Sequence, residues 1–158
     1  MSTTRPEAIE GADVGCMAPE FELKDSGGST WKLADHRGKV VALVFYPRDE
    51  TPVCTKQMCS MRDRWSDYRA TEAEVVGISV GSVQQHKQFV EHHELPQRLL
   101  ADERGEVAKL YKVKSILGGS QRAVILIDGR GIIRYRKSVF PIFRPTDDEV
   151  IAEIKRIT

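Results

Sequence analysis

The pattern of apolar and polar positions divides the chain into short strands and helices. Residues 40–46 (VVALVFY) are apolar throughout, which is typical of a central strand covered on both faces. The polar, amphipathic segment 55–69 predicts a helix, and residues 74–80 (EVVGISV) predict a second buried strand. Ser82, with Gln85 three residues later, predicts the capped start of another helix.

Glycine-rich turns indicate two hairpins. DSGGS at 25–29 separates residues 19–23 from 30–33, and DGRG at 128–131 separates residues 123–127 from 132–136. A short helix is predicted over 103–111. The last helix is predicted to begin at Thr146, with Glu149 completing a capping box.

The order of these elements is a hairpin followed by β-α-β-α-β-β-α. Alternating strands and helices predict an α/β layered domain with a largely parallel sheet, closed by an antiparallel hairpin. Functional sites in such sheets lie at the carboxyl ends of strands, and the strand over 40–46 places Cys54 at such an end.

Composition narrows the class of protein. The chain has 158 residues, 41% hydrophobic and 30% charged, with a net charge of +1, which argues against a nucleic-acid partner. Residues 1–12 show no apolar signal core, and the run 40–46 is too short to span a bilayer. We therefore expect a flexible N-terminus over 1–12, a single domain over 13–158, no membrane partner and a cytoplasmic location.

The cysteines indicate thiol chemistry. Three cysteines do not make the disulfide framework of a small secreted domain. Cys54 is expected in the first turn of a helix, where unpaired backbone N–H groups and the helix dipole favour an anion. Thiols in such positions ionise more readily than free thiols, and the thiolate is the reactive form. Thr51 can turn its hydroxyl toward this sulfur, while Pro47 and Pro52 stiffen the loop.

Cys59 follows Cys54 by five residues, a spacing that argues against a permanent disulfide. On an intact helix the two Cα atoms would be roughly 8–9 Å apart, beyond the limit of about 7 Å for a bridge. The pair can bond only if the start of the helix unwinds, which suits a transient disulfide. The alternative is that Cys59 is an ordinary helix residue.

Other residues have plainer interpretations. Cys16 is interpreted as an incidental thiol, with an alternative resolving or regulatory role left open. The four histidines are expected to be solvated, without a carboxylate or cysteine cluster that would complete a metal site. The apolar loop FPIF at 140–143 either covers the core or forms a contact surface. The histidines are His36, His86, His92 and His93.

The run YPRDETPVCTKQMC at 46–59 resembles the peroxiredoxins. Pro47, Thr51 and Cys54 match the family signature P-x-x-x-T-x-x-C, and Cys59 at the fifth position after Cys54 is similar to the bacterioferritin-comigratory-protein or PrxQ subfamily. The resemblance extends over about residues 11–158. It also includes APEF at 18–21, L-x-x-x-RGK at 33–39, LAD-x-x-G at 100–105 and R-x-x-x-LID-x-x-G at 122–131.

This resemblance implies a thioredoxin-like fold with an N-terminal β-hairpin extension and a central mixed sheet flanked by helices. It implies a peroxidase of hydrogen peroxide and alkyl hydroperoxides that needs no cofactor, metal or haem. Cys54 would be the peroxidatic and Cys59 the resolving cysteine, with Thr51, Pro47 and Arg122 completing the site. A thioredoxin or similar reductant would recycle the disulfide, and the protein would be a monomer or weak homodimer.

Two departures from the family pattern stand out. Cys16 occupies a position where the family usually has Asp, and Val53 one where the subfamily often has Gly. A β-branched residue resists positive φ, so Val53 predicts either a stiffer loop or a more apolar pocket rim. The competing functions are a thiol-disulfide oxidoreductase on the same fold, which normally uses Cys-x-x-Cys, and a redox-sensing or copper-binding module.

Overall fold

The central feature of the computed structural model is a five-stranded mixed sheet. The structure describes residues 9–115, 118–139 and 146–158; the loop at 140–143 lies outside them. The sheet contains β3 (Val41–Phe45), β4 (Glu74–Ser79), β5 (Arg98–Ala101), β6 (Arg122–Ile127) and β7 (Ile133–Val139), in the order β5-β4-β3-β6-β7. β1 (Glu22–Lys24) and β2 (Thr30–Lys32) form a separate antiparallel hairpin.

The sheet is parallel in one half and antiparallel in the other. β3 pairs in parallel with β4, and β4 with β5, whereas β6 is antiparallel to both β3 and β7. A largely parallel sheet, as expected from the element order alone, is therefore found only in the β3–β4–β5 half. The sequence prediction also missed β5, because four residues between two polar segments show no clear alternation.

The helices are α1 (Pro52–Asp63), α2 (Trp65–Ala70), α3 (Val83–His93), α4 (Glu106–Leu110) and α5 (Asp147–Ile157), and a 3-10 turn covers Leu33–His36. The predicted helix over 55–69 is in fact two helices that meet at Arg64, whose backbone leaves the helical region. Arg64 donates to Asp148 (2.7 Å), and the Tyr68 hydroxyl donates to Asp147 (2.5 Å). Periodicity along the chain cannot show this contact with α5.

The start of α5 differs in one detail from the predicted capping box. The Thr146 hydroxyl accepts from the Glu149 backbone N–H (3.2 Å), as expected. The Glu149 carboxylate instead binds the ammonium of Lys137 (2.5 Å) and the hydroxyl of Tyr135 (3.1 Å) on β7. The hydrogen bond from Lys137 holds the pKa of Glu149 below its usual value.

Alternating side chains of β3 belong to two cores, one on each face of the sheet. Val41, Leu43 and Phe45 pack with the N-terminal hairpin and α4. Ala42, Val44 and Tyr46 pack with α1, α2, α3 and α5, and Cys54 belongs to this second core. Cys54 is thus held between the sheet and the larger helical layer.

The described part of the N-terminus is in contact with the folded domain. Residues 9–12, part of the predicted flexible N-terminus, contact the body: the Ala12 carbonyl accepts from Arg136 (3.2 Å). The domain limits stay a prediction. Among the described residues, no helix has the length and apolar character needed to cross a bilayer.

Ile154 provides a test of the second core. Its side chain is fully buried on α5, so we expect Ile154→Ala to lower the free energy of unfolding by about 2–5 kcal/mol in urea denaturation, through lost burial and a cavity. The neighbouring Lys155→Ala, at an exposed position, should change it by no more than about 0.5 kcal/mol. Equal effects of the two substitutions would contradict this packing.

Candidate active site

Cys54 lies in the first turn of α1, at the carboxyl end of β3. Thr51 is the N-cap residue and Pro52 the first helical residue, where its missing N–H costs nothing. The helix therefore begins three residues earlier than predicted, and Cys54 is its third residue. The Cys54 side chain is fully buried. The Thr51 side chain does not cap the helix, which leaves first-turn N–H groups available to an anionic ligand.

Arg122 supplies a cation to this sulfur. It is the first residue of β6, next to Ala123, which pairs with Phe45 at the end of β3, so the register brings it beside the loop that carries Cys54. One guanidinium nitrogen, Nη2, donates to Cys54 Sγ (3.2 Å). A fixed cation beside the sulfur stabilises negative charge there before and during reaction.

Gln57 fixes the other end of the same guanidinium. Its Oε1 accepts from Arg122 Nη1 (2.6 Å), and both side chains are buried. Gln57 and Cys54 are three residues apart on α1 and so share a helix face. That spacing could have identified Gln57 from the sequence once Arg122 was known to face Cys54.

Thr51 and Pro47 each make a backbone contact in or near the loop before α1. The Thr51 hydroxyl donates to the Arg48 carbonyl (3.3 Å), and within the described ranges no hydrogen bond joins it to the Cys54 sulfur. Pro47 is half-buried. A Cβ added at Gly119 would lie only 2.9 Å from the Pro47 carbonyl oxygen. Gly119 has φ +69°, so this close approach requires glycine.

A buried network behind the loop was not foreseen from the sequence. Asp49 accepts from the Tyr46 hydroxyl (2.6 Å) and contacts His86 Nδ1 (2.6 Å), while His86 Nε2 lies 3.2 Å from the Ser79 carbonyl. Burial raises the pKa of Tyr46 well above its usual value, and the charges of Asp49 and Cys54 raise it further. Tyr46 therefore remains a hydrogen-bond donor.

The expectation that His86 is solvated is wrong. Its side chain is fully buried on α3, because Asp49 reaches it from the active-site loop. His36 is also not freely solvated: it stacks on Trp31 and lies 3.2 Å from Glu74. The His86–Asp49 contact ties the loop before α1 to the helical layer.

Cys59 lies on the same unbroken helix as Cys54 but is only partly buried. All three cysteines are described, and all are free thiols. Because α1 is intact between positions 54 and 59, the separation of roughly 8–9 Å expected for an intact helix applies. A disulfide between them requires the first turns of α1 to unwind.

Cys16 lies near the opposite end of the sheet from Cys54 and Cys59. Its carbonyl accepts from the Ile133 N–H (2.9 Å), and Ile133 pairs with Ile127 at the opposite end of β6 from Arg122. Five residues of strand correspond to roughly 17 Å. A bond between Cys16 and Cys54 of the same chain would need a large rearrangement.

Val53 causes no backbone strain. It occupies the second position of α1 and is not among the residues with positive φ. The left-handed residue of this loop is Glu50, with φ +60°. A β-branched residue is therefore compatible with the backbone at this position.

Comparison with known proteins identifies the family. The AhpC/TSA family model matches residues 14–136. This chain belongs to the AhpC/TSA family. It is 43% identical over 123 residues to the chloroplastic peroxiredoxin Q of Triticum aestivum, a match that covers 77% of the chain but only 57% of the plant protein. It is 39% identical over 134 residues to peroxiredoxin Bcp of Bacillus subtilis, covering 79% and 85% of the two chains.

Solved structures agree with this membership. The crystal structure of peroxidoxin BcpB from Mycobacterium tuberculosis superposes with a TM-score of 0.81 at 30% identity, over 92% of this chain and 97% of that one. The resemblance to peroxiredoxins and the thioredoxin-like fold expected from it, with a central mixed sheet, are confirmed.

The Arg122–Gln57 contact yields a prediction about stability. We expect Gln57→Leu to lower the free energy of unfolding by about 1–3 kcal/mol, because the buried guanidinium loses a hydrogen-bond acceptor. Gln57→Glu keeps an acceptor and should lose less.

Urea denaturation checks this, with Gln84→Leu as the matched substitution at an exposed position. Equal changes in the free energy of unfolding for Gln57→Leu and Gln84→Leu would show that the Arg122–Gln57 contact does not contribute to stability.

Proposed function

We propose that this protein is a thiol-dependent peroxidase that reduces hydrogen peroxide and organic hydroperoxides. The observation that carries the proposal is the buried contact between Arg122 Nη2 and Cys54 Sγ in the first turn of α1. Membership of the AhpC/TSA family supports it. The chain matches little more than half the length of its plant relatives, so the activity is argued from its own residues.

In the first step the Cys54 thiolate attacks the terminal oxygen of the peroxide. A sulfur–oxygen bond forms, the oxygen–oxygen bond breaks, and the departing oxygen takes up a proton and leaves as water or alcohol. Sulfur loses two electrons and becomes a sulfenic acid. Arg122 and the first-turn N–H groups stabilise the charge that moves from sulfur to oxygen. Thr51 and Pro47 are assigned, by resemblance, to the walls of the peroxide pocket.

In the second step Cys59 attacks the sulfenic sulfur of Cys54. A disulfide forms and water leaves, so this step needs no further oxidant. The intact helix keeps the two residues apart, and the first turns of α1 must therefore unwind. A thioredoxin-like dithiol then reduces the disulfide by exchange.

Several finer assignments remain part of the proposal. We assign a monomer or weak homodimer and a cytoplasmic location, although the plant relatives are named chloroplastic. Gln57 is proposed as a positioning residue that acts through Arg122.

The decisive experiment uses one equivalent of hydrogen peroxide on the reduced protein. After quenching within seconds, intact mass and peptide mapping should show the loss of two hydrogen atoms and a Cys54–Cys59 disulfide, with Cys16 free. Cys59→Ser should instead gain one oxygen on Cys54. Cys54→Ser should not react on this timescale, and rapid oxidation of that variant would overturn the assignment of Cys54.

Arg122 gives a second test of the site. We expect Arg122→Met to slow the reaction of Cys54 with hydrogen peroxide by about 10²–10³-fold, because the cation beside the sulfur is lost. Arg122→Lys keeps the charge without the two-armed geometry and should be intermediate.

Stopped-flow rates on reduced protein measure both variants, and Arg104→Lys, at an exposed position, is the control. A wild-type rate in Arg122→Met would show that another group stabilises the charge.

A further inference from the structure

Three side chains from two distant segments converge beside the active-site loop. Glu50 lies one residue before the N-cap of α1, and His92 and His93 are the last two residues of α3. Glu50 Oε2 is 2.8 Å from His92 Nδ1, and Glu50 Oε1 is 2.7 Å from His93 Nε2. We call these three residues the Glu50–His92–His93 cluster. The expectation that no carboxylate clusters with the histidines is therefore wrong for His92 and His93.

The cluster has the donor set of a transition-metal site. One ligand atom from each residue can be chosen so that all three lie within 4.8 Å of one another. Two imidazole nitrogens and a carboxylate oxygen suit Zn²⁺, which sits about 2.0–2.2 Å from such donors and accepts water as a fourth ligand. The present distances are those of hydrogen bonds. An ion would take the place of the bridging protons after small side-chain movements.

The cluster is also accessible to an ion from solvent. The side chains of Glu50, His92 and His93 are 46%, 67% and 18% exposed. Arg62 donates to the His93 carbonyl (2.7 Å) and pairs with Asp63 (3.0 Å), which offsets its charge. The two imidazole rings lie with centroids 4.1 Å apart, and each already contacts one oxygen of the Glu50 carboxylate.

We propose that Glu50, His92 and His93 bind a divalent transition-metal ion such as Zn²⁺, with a water molecule completing a tetrahedral site. Cu²⁺ is expected to bind the same donors more tightly than Zn²⁺. The proposed metal site shares no residue with the contact between Cys54 and Arg122.

The position of Glu50 gives the ion a consequence. Glu50 lies between Asp49, which is bound to Tyr46 and His86, and Thr51, the N-cap of α1. A metal bond from Glu50 to α3 would hold the start of α1 in place. This consequence rests on the proposed peroxidase function. The bound ion opposes the unwinding of α1 that joins Cys54 to Cys59, and it leaves the reaction of Cys54 with peroxide unaffected.

Zn²⁺ titration of the reduced protein tests the site without reference to activity. Calorimetry should show a one-to-one site in the wild type whose affinity falls at least tenfold in His92→Gln and in His93→Gln. His36→Gln is the matched control, because His36 contacts Glu74 and stacks on Trp31 but meets no second histidine among the described residues. Any Zn²⁺ that binds the cysteine thiols would give the same affinity in the wild type and in all three variants. Unchanged affinity in the two α3 variants would overturn the site.

The rate of disulfide formation tests the clamp. After one equivalent of hydrogen peroxide, saturating Zn²⁺ should slow the conversion of Cys54 sulfenic acid to disulfide at least tenfold in the wild type but not in His92→Gln. Equal slowing in both would locate the inhibition at the thiols and overturn the clamp, as would no slowing in the wild type. Failure to form any sulfenic acid would reject the peroxidase function instead, while the titration would still decide the metal site.

Discussion

The buried Arg122 guanidinium is the group on which the rest of the site depends. A charge that is almost completely removed from water is strongly destabilising unless hydrogen bonds and opposite charge surround it. Cys54 and Gln57, one helical turn apart, receive two of its N–H groups. The same contact holds α1 against the end of β3 and β6. The contacts that stabilise the buried guanidinium are thus the same ones that we propose make the sulfur reactive.

This arrangement creates a conflict that α1 must resolve. The helix must be intact to hold Cys54 beside Arg122, whereas the proposed disulfide requires its first turns to open and bring Cys54 to Cys59. The Asp49–His86 contact fixes the chain before the helix, and the buried Gln97 amide donates to the Met58 carbonyl (2.9 Å) in its middle. Unwinding is therefore confined between two anchors, so that a local opening need not spread to the core.

The Glu50–His92–His93 cluster lies at the first of these anchors. Asp49 and Glu50, adjacent in sequence, contact α3 at two levels: Asp49 at the buried His86 and Glu50 at the exposed end of the helix. The His86 contact is buried, whereas the contacts of His92 and His93 are partly exposed to solvent, where the proposed ion would bind. The active-site loop thus has one buried and one solvent-exposed attachment to α3.

The sequence alone determined the position of Cys54, because an apolar strand followed by a proline-containing loop and an amphipathic helix is a local pattern. It also determined the two hairpins, the central strands and, through the wider resemblance to peroxiredoxins, the role proposed for Arg122. Only the tertiary structure revealed Gln57 as its partner, the His86–Asp49 pair and strand β5. Arg122 and Cys54 are 68 positions apart, and His86 and Asp49 are 37 apart. Such pairs meet through strand register and helix packing, which no local periodicity encodes.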